Sequence, residues 1–480
     1  MSLGIGSVLP ACSSGNRFSA EQKVLDVLVV GAGMAGLSAA RELKAQGLSI
    51  LVLEASHQHG GRVRSQTLGS TRVELGAEEH YLPRNNPVHS AIVQAFGEDI
   101  YVTPYSGSSL AAMGDGTFCE EREGSCTENT AFQNYQNYWD IYWRRRQQTD
   151  FSLSMADDVA QRYGVQPGDV AYHLYENGLA GSEYGTSLDS IGVASLALDG
   201  ANWSLSERIL GLAPSNLGYL DALDQIWWHQ VLDRVQFNSA VKRVNYSGDL
   251  VEVEDHQGQR YLTRSLVVTA SIGVLQSEII EFNPGLPERT VEAYQNIGMG
   301  KGMKVALRFR EPFWQENLGY MVSDGISGSF WSPSSYKSDS PDHILMCYPM
   351  GNQAEALSRE SINGKNTAQA QIHIQKAMLA DLDRLYEGKA SPRFIDATVR
   401  DFSADPYIQG SYSYAQKNTH VDAQSSMRVQ LQEPVDNCVF FAGEATSSNA
   451  WSTVPGAILE GRRVATEISK KFNASSSFSS

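Results

Sequence analysis

The chain has 480 residues, of which 42% are hydrophobic and 19% are charged, and its formal net charge is −16 at pH 7. These values are typical of a folded protein with two domains, and the negative charge argues against nucleic acid as a partner and favours the approach of cations. No apolar run of about 18 residues occurs in the sequence, which therefore predicts no membrane-spanning helix.

The first segment, residues 1–22, is predicted to be either a disordered N-terminus or the remnant of an export signal. Its Leu-Pro-Ala-Cys stretch resembles a lipoprotein cleavage site, but a basic leader and a full apolar core do not precede it. A trimmed signal would indicate an exported protein, periplasmic or lipoprotein-like, and the other alternative a cytoplasmic one. Both alternatives stay open on the sequence.

A buried strand, a glycine-rich turn and a helix are predicted next. The apolar run of residues 24–30 is followed by G-x-G-x-x-G, formed by Gly31, Gly33 and Gly36, and a second predicted strand ends at Glu54. In dinucleotide-binding units these glycines allow a tight turn, approach of the backbone to a pyrophosphate, and close packing of helix on strand. The helix N-terminus supplies amide donors, and the acid binds a ribose. The pattern therefore predicts a dinucleotide site.

The five cysteines do not show metal-ligand spacing, and their odd number argues against a complete disulfide framework. We therefore predict no metal site. Cys119 and Cys126 flank a short polar loop, which is compatible with a small disulfide and equally with two separate thiols.

The turn Gly60-Gly61-Arg62 indicates which dinucleotide is bound. Its guanidinium follows shortly after Glu54, the acid expected at the ribose, and is suited to bridging the pyrophosphate. Together with motifs in the middle and at the end of the chain, this turn resembles the FAD-dependent amine oxidases. That family includes monoamine oxidases, polyamine oxidases and histone lysine demethylases. The resemblance extends from about Asp26 to Lys470.

The resemblance implies an α/β fold: a Rossmann-type (GR2-like) FAD-binding domain and a second, α+β substrate-binding domain. The expected ranges are 23–85, 225–292 and 430–472 for the FAD-binding domain, 86–224 and 293–429 for the substrate-binding domain, and 473–480 for a disordered tail.

One strand of the middle of the chain is predicted to bring a lysine to the flavin. In the family this lysine lies near flavin N5 through a water, and counting back from Phe313-Trp314 selects Lys304 rather than Lys301. Its positive charge would stabilise the negative charge that develops as oxygen is reduced. Strand alternation alone would instead make Lys304 a solvent-facing lysine, on the same face as Arg308.

The stretch that ends in Gly-Ser-Tyr-Ser-Tyr resembles the family segment in which Tyr412 faces the flavin and forms a wall of the substrate cavity. Phe402 stands where relatives often have tryptophan. Monoamine oxidases attach FAD covalently through a cysteine in this region. Because residues 410–414 contain no cysteine, the resemblance implies that FAD is bound non-covalently.

The stretch from Phe441 to Ala457 is predicted to form a strand, a turn with Glu444, and a helix with Ser452 or Thr453 as N-cap. The resemblance directs this helix N-terminus at the N1–C2=O edge of the flavin. Thr453 stands where monoamine oxidases and plant-type polyamine oxidases place an aromatic residue, which predicts a more open path for a long, thin substrate.

His80 is the leading candidate for positioning the amine or handling its proton, because an unperturbed pKa of ~6.5 suits that task. A histidine that is hydrogen-bonded in a loop is an equally good interpretation. Glu79 and Glu183 are predicted to bind ammonium groups of the substrate. The residues predicted to contact FAD are Gly31, Gly33, Met34, Ala35, Gly36, Glu54, Ala55, Gly61, Arg62, Gly76, Ala77, Glu78, Val241, Ala270, Phe402, Gly443, Glu444, Thr453 and Val454.

The resemblance implies oxidation of spermine or spermidine by hydride transfer to FAD, which gives an aldehyde, a shorter amine and, with molecular oxygen, hydrogen peroxide. The partners would be a small cationic amine and oxygen, and the protein would be a monomer or a homodimer. The alternatives are an oxidase of another primary or secondary amine or of an L-amino acid, and a flavin-binding scaffold protein.

Overall fold

The computed structural model describes residues 23–103, 107–120, 126, 128–136, 150–205, 209–316, 318–333, 336–337, 339–360, 368–422 and 425–477. The two predictions for residues 1–22 lie outside the described residues. Within the described ranges, no helix combines the length and the apolar character needed to span a membrane.

The strands alternate with helices in the first part of the chain and dominate its middle. The strands are β1 Val24–Val30, β2 Ile50–Leu53, β3 Ser65–Leu68, β4 Thr71–Glu74, β5 His80–Tyr81, β6 Tyr101–Val102, β7 Ser108–Ala112, β8 Phe118–Glu120, β9 Ile209–Leu212, β10 Val235–Gln236, β11 Val241–Asn245, β12 Val251–Asp255, β13 Arg260–Val268, β14 Glu281–Asn283, β15 Gly298–Met299, β16 Met303–Phe309, β17 Leu318–Ser323, β18 Ser329–Trp331, β19 His343–Tyr348, β20 Phe394–Asp401, β21 Ser413–Tyr414 and β22 Val439–Phe441.

The helices range from one turn to more than six turns. They are α1 Met34–Ala45, α2 Pro87–Phe96, α3 Met155–Tyr163, α4 Val170–Leu174, α5 Ser182–Tyr184, α6 Val193–Ala201, α7 Tyr219–Ile226, α8 Ile272–Gln276, α9 Glu288–Gln295, α10 Gly351–Glu360, α11 Ala368–Leu385, α12 Met427–Gln430 and α13 Val454–Ser477, with a π-helical segment at Tyr175–Gly181 between α4 and α5. The last helix includes residues 473–477, which the sequence analysis assigned to a disordered tail.

The first sheet has eight strands, and its core is parallel, as the apolar run of β1 predicts. The order is β10-β2-β1-β13-β12-β11-β14, and β22 also pairs with β13. The second half of β13 lies parallel to β1 and β22, while its first half forms an antiparallel hairpin with β12. Segments far apart in the sequence therefore form one layer, in agreement with the Rossmann-type expectation.

Helices α1 and α13 pack against each other beside this sheet, and a glycine sets their separation. A Cβ atom on Gly461 would lie 2.3 Å from the carbonyl oxygen of Ala35, so only glycine allows the observed approach. Ser38 of α1 donates a hydrogen bond to the carbonyl of Ile458 in α13 over 2.9 Å. The two helices thus begin side by side, next to the carboxyl ends of β1 and β22.

The second sheet has seven strands in the order β20-β16-β19-β18-β17-β7-β8 and is mostly antiparallel. Strand β16, which carries Lys304, pairs with β19 and β20 and is therefore an inner strand. Cys119 in β8 forms a disulfide with Cys126, so the structure selects the disulfide among the two open alternatives. The predicted α/β architecture with a second, mixed unit is confirmed.

Candidate active site

A cavity of about 1540 Å³ lies between the two large sheets and is lined by residues from both. This volume exceeds the ~300–1,000 Å³ of an ordinary small-molecule site, so a dinucleotide and a second molecule have room together. The predicted site residues that line it are Gly31, Gly33, Met34, Ala35, Glu54, Ala55, Gly61, Arg62, Gly76, Ala77, Glu78, Glu79, Glu183, Val241, Ala270, Lys304, Phe402, Tyr412, Gly443, Glu444, Thr453 and Val454. Two predicted residues, Gly36 and His80, lie outside the lining.

The glycine-rich turn after β1 allows close packing of helix α1 on the turn and close approach of a ligand to the backbone. A Cβ atom on Gly36 would lie 1.9 Å from the carbonyl oxygen of Gly31, which explains why Gly36 serves packing although it does not line the cavity. Gly31 has a φ of +98°, a conformation that favours glycine. A Cβ atom on Gly33 would meet no atom within 4 Å in the part of the chain that the structure describes, so the backbone there borders open space.

Helix α1 begins at Met34, and Gly33 gives it no side-chain cap. The amide groups of its first turn therefore stand at the cavity wall, where a helix N-terminus favours an anion. A pyrophosphate fits this cradle, because both the space above Gly33 and the donors are present. The residues present thus fit FAD.

Glu54 follows β2 at the edge of the cavity and braces the glycine turn. Its carboxylate accepts hydrogen bonds from the amide of Ala32 over 2.7 Å and from the amide and hydroxyl of Ser56 over 2.8 Å each. The acid predicted to bind a ribose therefore also holds the turn and its own loop in place, a role that the motif alone does not reveal.

Arg62 and Glu444 form an ion pair in the wall of the cavity, with 2.6 Å between Nη1 and Oε1. The other carboxylate oxygen of Glu444 accepts from the hydroxyl of Ser413 over 2.6 Å and from the amide of Ser452 over 3.0 Å. Burial raises the pKa of Glu444, but Arg62, Ser413 and the Arg428 guanidinium outweigh this and leave the pKa lowered. Glu444 is therefore an ionised carboxylate that fixes Arg62.

Arg428 continues this network away from the cavity. It is fully buried and donates to the Ser413 hydroxyl over 2.7 Å and to Asp199 over 2.9 Å. Asp199 in turn lies 2.7 Å from Nε2 of His420. Ser413, Arg428, Asp199 and His420 thus form a hydrogen-bonded network that extends from Glu444 away from the cavity.

Arg64 lines the cavity close to Arg62, and the sequence analysis missed it. Its side chain is buried and donates to the carbonyls of His59 and Gln58, and its Nε atom has no hydrogen-bond partner among the described residues. Burial and the nearby charge of Arg400 lower the pKa of Arg64 to about 10. A buried cation whose donors are incompletely used, at the edge of a cavity, favours an anionic ligand.

Lys304 lies on the cavity wall with only 6% of its surface exposed, so the alternative of a solvent-facing strand lysine is wrong. Its Nζ atom is 2.7 Å from Oε2 of Glu78 and 4.9 Å from the ring centroid of Trp331. Glu78 accepts further hydrogen bonds from the Trp331 indole over 3.1 Å and from the hydroxyl of Tyr336. Both oxygen atoms of the Glu78 carboxylate therefore accept hydrogen bonds from protein donors.

Glu79 and Glu183 face the cavity as a second acidic group. Burial raises the pKa of Glu79 to about 7 against the opposing effect of Lys304, and burial together with Glu79 raises the pKa of Glu183 to about 7. Glu183 lines the cavity with an exposed side chain, whereas Glu79 is half-buried. The two carboxylates are therefore suited to receive cations that enter the cavity.

Aromatic side chains form the wall around these acids. The hydroxyl of Tyr412 donates to the carbonyl of Ser182 over 3.0 Å and lies 3.3 Å from the hydroxyl of Tyr348. Tyr81, Tyr348 and Trp451 also line the cavity, and the sequence analysis did not single them out. They come from segments far apart in the sequence, so only the fold brings them together.

Thr453 caps helix α13, as one of the two predicted N-caps. Its hydroxyl accepts from the amide of Gly456 over 3.0 Å and donates to the carbonyl of Ala450 over 2.7 Å. The hydroxyl is therefore occupied by the helix cap, which leaves the rest of the side chain for contact with a ligand.

His80 does not line the cavity and is buried, so the structure places it behind the residues that form the cavity wall. Its ring lies 3.7 Å from the ring of Tyr219, and its Nδ1 atom is 3.2 Å from the hydroxyl of Tyr101. Burial, with smaller contributions from His89 and Lys337, lowers the pKa of His80 to about 3. The physical reason is alternation: in β5, His80 points away from the face on which Glu79 and Tyr81 line the cavity.

A family model described as flavin containing amine oxidoreductase matches residues 34–469. Lysine-specific histone demethylase 2 of Homo sapiens is 26% identical over 472 residues, which are 92% of this chain and 53% of that protein, so the chain spans about half the length of this relative. Polyamine oxidase 1 of Zea mays is 25% identical over 462 residues, which are 91% of this chain and 88% of that protein.

Two solved structures have a similar fold. Putrescine oxidase, wild type bound to putrescine, has a TM-score of 0.73 at 17% identity, with coverage of 93% of this chain and 99% of that one. Cyclohexylamine oxidase from Brevibacterium oxydans IH-35A has a TM-score of 0.72 at 18% identity, with coverage of 94% and 100%.

Proposed function

Because the chain belongs to the family of flavin-containing amine oxidoreductases, we propose that it oxidises polyamines such as spermine and spermidine. The observation that carries this proposal is the pair Glu79 and Glu183 in an aromatic cavity next to the cradle that fits FAD. A polyamine has several ammonium groups, and a site with two carboxylates binds it better than a site with one. The likeness to polyamine oxidases supports the same substrate class.

The site would rely on bound FAD for its redox chemistry, which is acceptance of a hydride from the carbon next to the amine nitrogen and reduction of oxygen. The residues of the chain bind and orient the substrate: Glu79 and Glu183 hold ammonium groups, and Tyr412 and Tyr348 shape the wall beside the reacting carbon. The reacting nitrogen has to be neutral, and the aromatic wall favours the neutral form because it excludes water. Lys304 supplies a fixed positive charge at the cavity wall.

We further propose that FAD is bound non-covalently. Residues 410–414 contain no cysteine, and among the described residues the two free cysteines, Cys347 and Cys438, do not line the cavity. A protein with covalent FAD would keep the yellow colour in the precipitate after acid denaturation. Here the flavin is expected in the supernatant, with the absorbance spectrum of free FAD.

An exported location is part of the proposal and rests on the Cys119–Cys126 disulfide. Disulfides persist in oxidising compartments and are rare in the cytosol, where thiols are kept reduced. Fractionation of the source cells with an antibody against the chain tests this location. Detection in the cytosolic fraction alone, with both thiols free, would contradict it.

A second candidate function is oxidation of an L-amino acid, favoured by Arg84. This arginine lines the cavity and donates to the carbonyl of Leu205 over 3.3 Å, which leaves other guanidinium donors for a substrate carboxylate. The decisive experiment mixes the purified flavoprotein without oxygen with spermine, putrescine, a monoamine, an L-amino acid or a methylated lysine peptide. Fast bleaching of the flavin absorbance by spermine supports the proposal, and bleaching by another of these compounds alone replaces it.

A further inference from the structure

Two consecutive acids, Glu78 and Glu79, line the cavity, and the structure gives them different surroundings. Glu79 lines the cavity, and burial raises its pKa to about 7 against the opposing effects of Lys304 and Tyr81. Glu78, in contrast, accepts hydrogen bonds from Lys304, Trp331 and Tyr336. With its acceptor positions taken by protein donors, Glu78 is a poor ligand for a substrate ammonium group, and its position requires a different explanation.

The contact between Glu78 and Lys304 joins two distant parts of the chain. The residues are 226 positions apart, the Oε2–Nζ distance is 2.7 Å, and the two side chains are 6% and 7% exposed. Glu78 follows the turn Gly76-Ala77 beside the cofactor cradle, whereas Lys304 stands on the inner strand β16 of the second sheet. A buried ion pair contributes little to stability compared with apolar packing, so this one is better explained by the geometry that it imposes.

Trp331 contacts both members of the Glu78–Lys304 ion pair. Its indole Nε1 atom donates to Glu78, and its ring centroid lies 4.9 Å from Nζ of Lys304. Tyr348 adds a second ring, at 5.5 Å from the same atom. Because the lysine stem alone has several rotatable bonds, these contacts are what give the ammonium group a single location.

We infer that Glu78 is the positioning residue of Lys304: it holds the ammonium group at one point of the cavity wall and leaves Glu79 free for substrate. This inference rests on the proposed function and on the expectation, implied by the family resemblance, that the charge of Lys304 assists the reaction with oxygen. Glu78 itself does not touch the reacting atoms in this account. Glu78 affects the reaction only by fixing the position of Lys304, and Trp331 contacts both side chains.

The experiment is a double-mutant cycle with Glu78→Gln, Lys304→Met and the double variant. Each holoenzyme is reduced with dithionite and mixed with oxygen, so that reoxidation is measured without any amine substrate. The single variants are expected to slow reoxidation by about tenfold or more. Glu78→Gln is expected to add less than about twofold in the Lys304→Met background, because its effect passes through the lysine.

A second readout uses the protein without FAD. The apparent melting temperatures of the four apoproteins are expected to be non-additive, because the two residues form one ion pair. If the double variant does not fold, Trp331→Phe tests the inference instead. It removes the indole donor to Glu78 and keeps an aromatic ring over Lys304. It is expected to slow reoxidation less than Glu78→Gln does.

Asp396→Asn is the matched control. Asp396 in β20 pairs with Arg308, which lies on β16 as Lys304 does, but Asp396 does not line the cavity. It should leave reoxidation unchanged. Equal effects of Glu78→Gln with and without Lys304, or a loss of stability with unchanged reoxidation, would overturn the inference. Neither result bears on the amine substrate, which the bleaching experiment tests separately.

Discussion

The Nη1 atom of Arg62 donates to Oε1 of Glu444 over 2.6 Å, although 382 residues separate the two in the sequence. Arg62 belongs to the glycine turn after β2, and Glu444 follows β22 close to the end of the chain. The guanidinium also donates to the carbonyl of Ser411 over 3.0 Å. One ion pair therefore joins the two ends of the chain at the wall of the cavity.

Glu444→Gln is expected to weaken both folding and FAD binding. The change removes the carboxylate that pairs with Arg62 and accepts from the hydroxyl of Ser413, and breaking a buried pair costs ~3–5 kcal/mol. Urea unfolding of the apoprotein and titration with FAD measure the two effects. Glu467→Gln is the control, because Glu467 pairs with Arg463 at a half-exposed position of α13 and should change stability by less than about 0.5 kcal/mol.

Gly33→Ala is expected to abolish tight FAD binding without unfolding the protein. A Cβ atom at Gly33 meets no protein atom within 4 Å and would occupy the open space where we expect the pyrophosphate. The apoprotein should keep its melting temperature, while FAD affinity falls by about tenfold or more, as expected for loss of close backbone contact. Gly248→Ala, in a turn with equally open space, should change neither property.

Arg64→Gln is expected to weaken binding of ADP to the apoprotein, while adenosine binding stays the same. Arg64 is a buried guanidinium at the cavity wall, and a hydrogen bond to a charged group contributes ~1.5–3 kcal/mol, or at least about tenfold in affinity. Calorimetric titration with both ligands separates the pyrophosphate contact from a general distortion. Equal losses for ADP and adenosine would show that Arg64 only supports the fold.

Binding of spermine is expected to weaken as the pH falls below about 7. The pKa values of Glu79 and Glu183 are raised to about 7, so each carboxyl group takes up a proton in this range and loses its attraction for ammonium groups. The KM for spermine should therefore rise on acidification, with a smaller change for a monoamine. The variant Glu183→Gln should raise the KM at pH 8 and flatten this part of the profile, whereas an unchanged KM would exclude Glu183 from the site.

Cys119 and Cys126 are expected to resist alkylation until the protein is reduced. They form a disulfide, whereas Cys347 and Cys438 are free thiols. Denaturation without reductant, followed by iodoacetamide and mass spectrometry of the peptides, distinguishes the two classes. Modified Cys119 and Cys126 in the unreduced sample would contradict the disulfide.

The glycine motif could be predicted from the sequence because its requirement is local. Gly31 needs a positive φ and Gly36 needs room beside the carbonyl of Gly31, and both needs follow from the order of strand, turn and helix. The cap of the last helix was predictable for the same reason, since Thr453 bonds to residues within three positions of it.

Which face of a short strand borders the cavity was not predictable, and this explains why His80 does not lie among the lining residues as expected. Glu79, His80 and Tyr81 are consecutive, and the pairing of β5 with β9 decides which of them point into the cavity. Trp331 and Tyr348 were missed because they lie far from Lys304 in sequence and meet it only through the pairing of β16 with its neighbours. No local pattern carries that information.

The position of β22 and α13 in the fold has a consequence for how the protein is made. Strand β22 completes the parallel layer beside β13, and α13 packs on α1 through Gly461. These two elements can therefore pack against β13 and α1 only after the segments between them have been synthesised, since domains form as their segments emerge. Until then the wall of the cavity lacks Glu444 and the first turn of α13, so we expect FAD to bind only after both have taken their places.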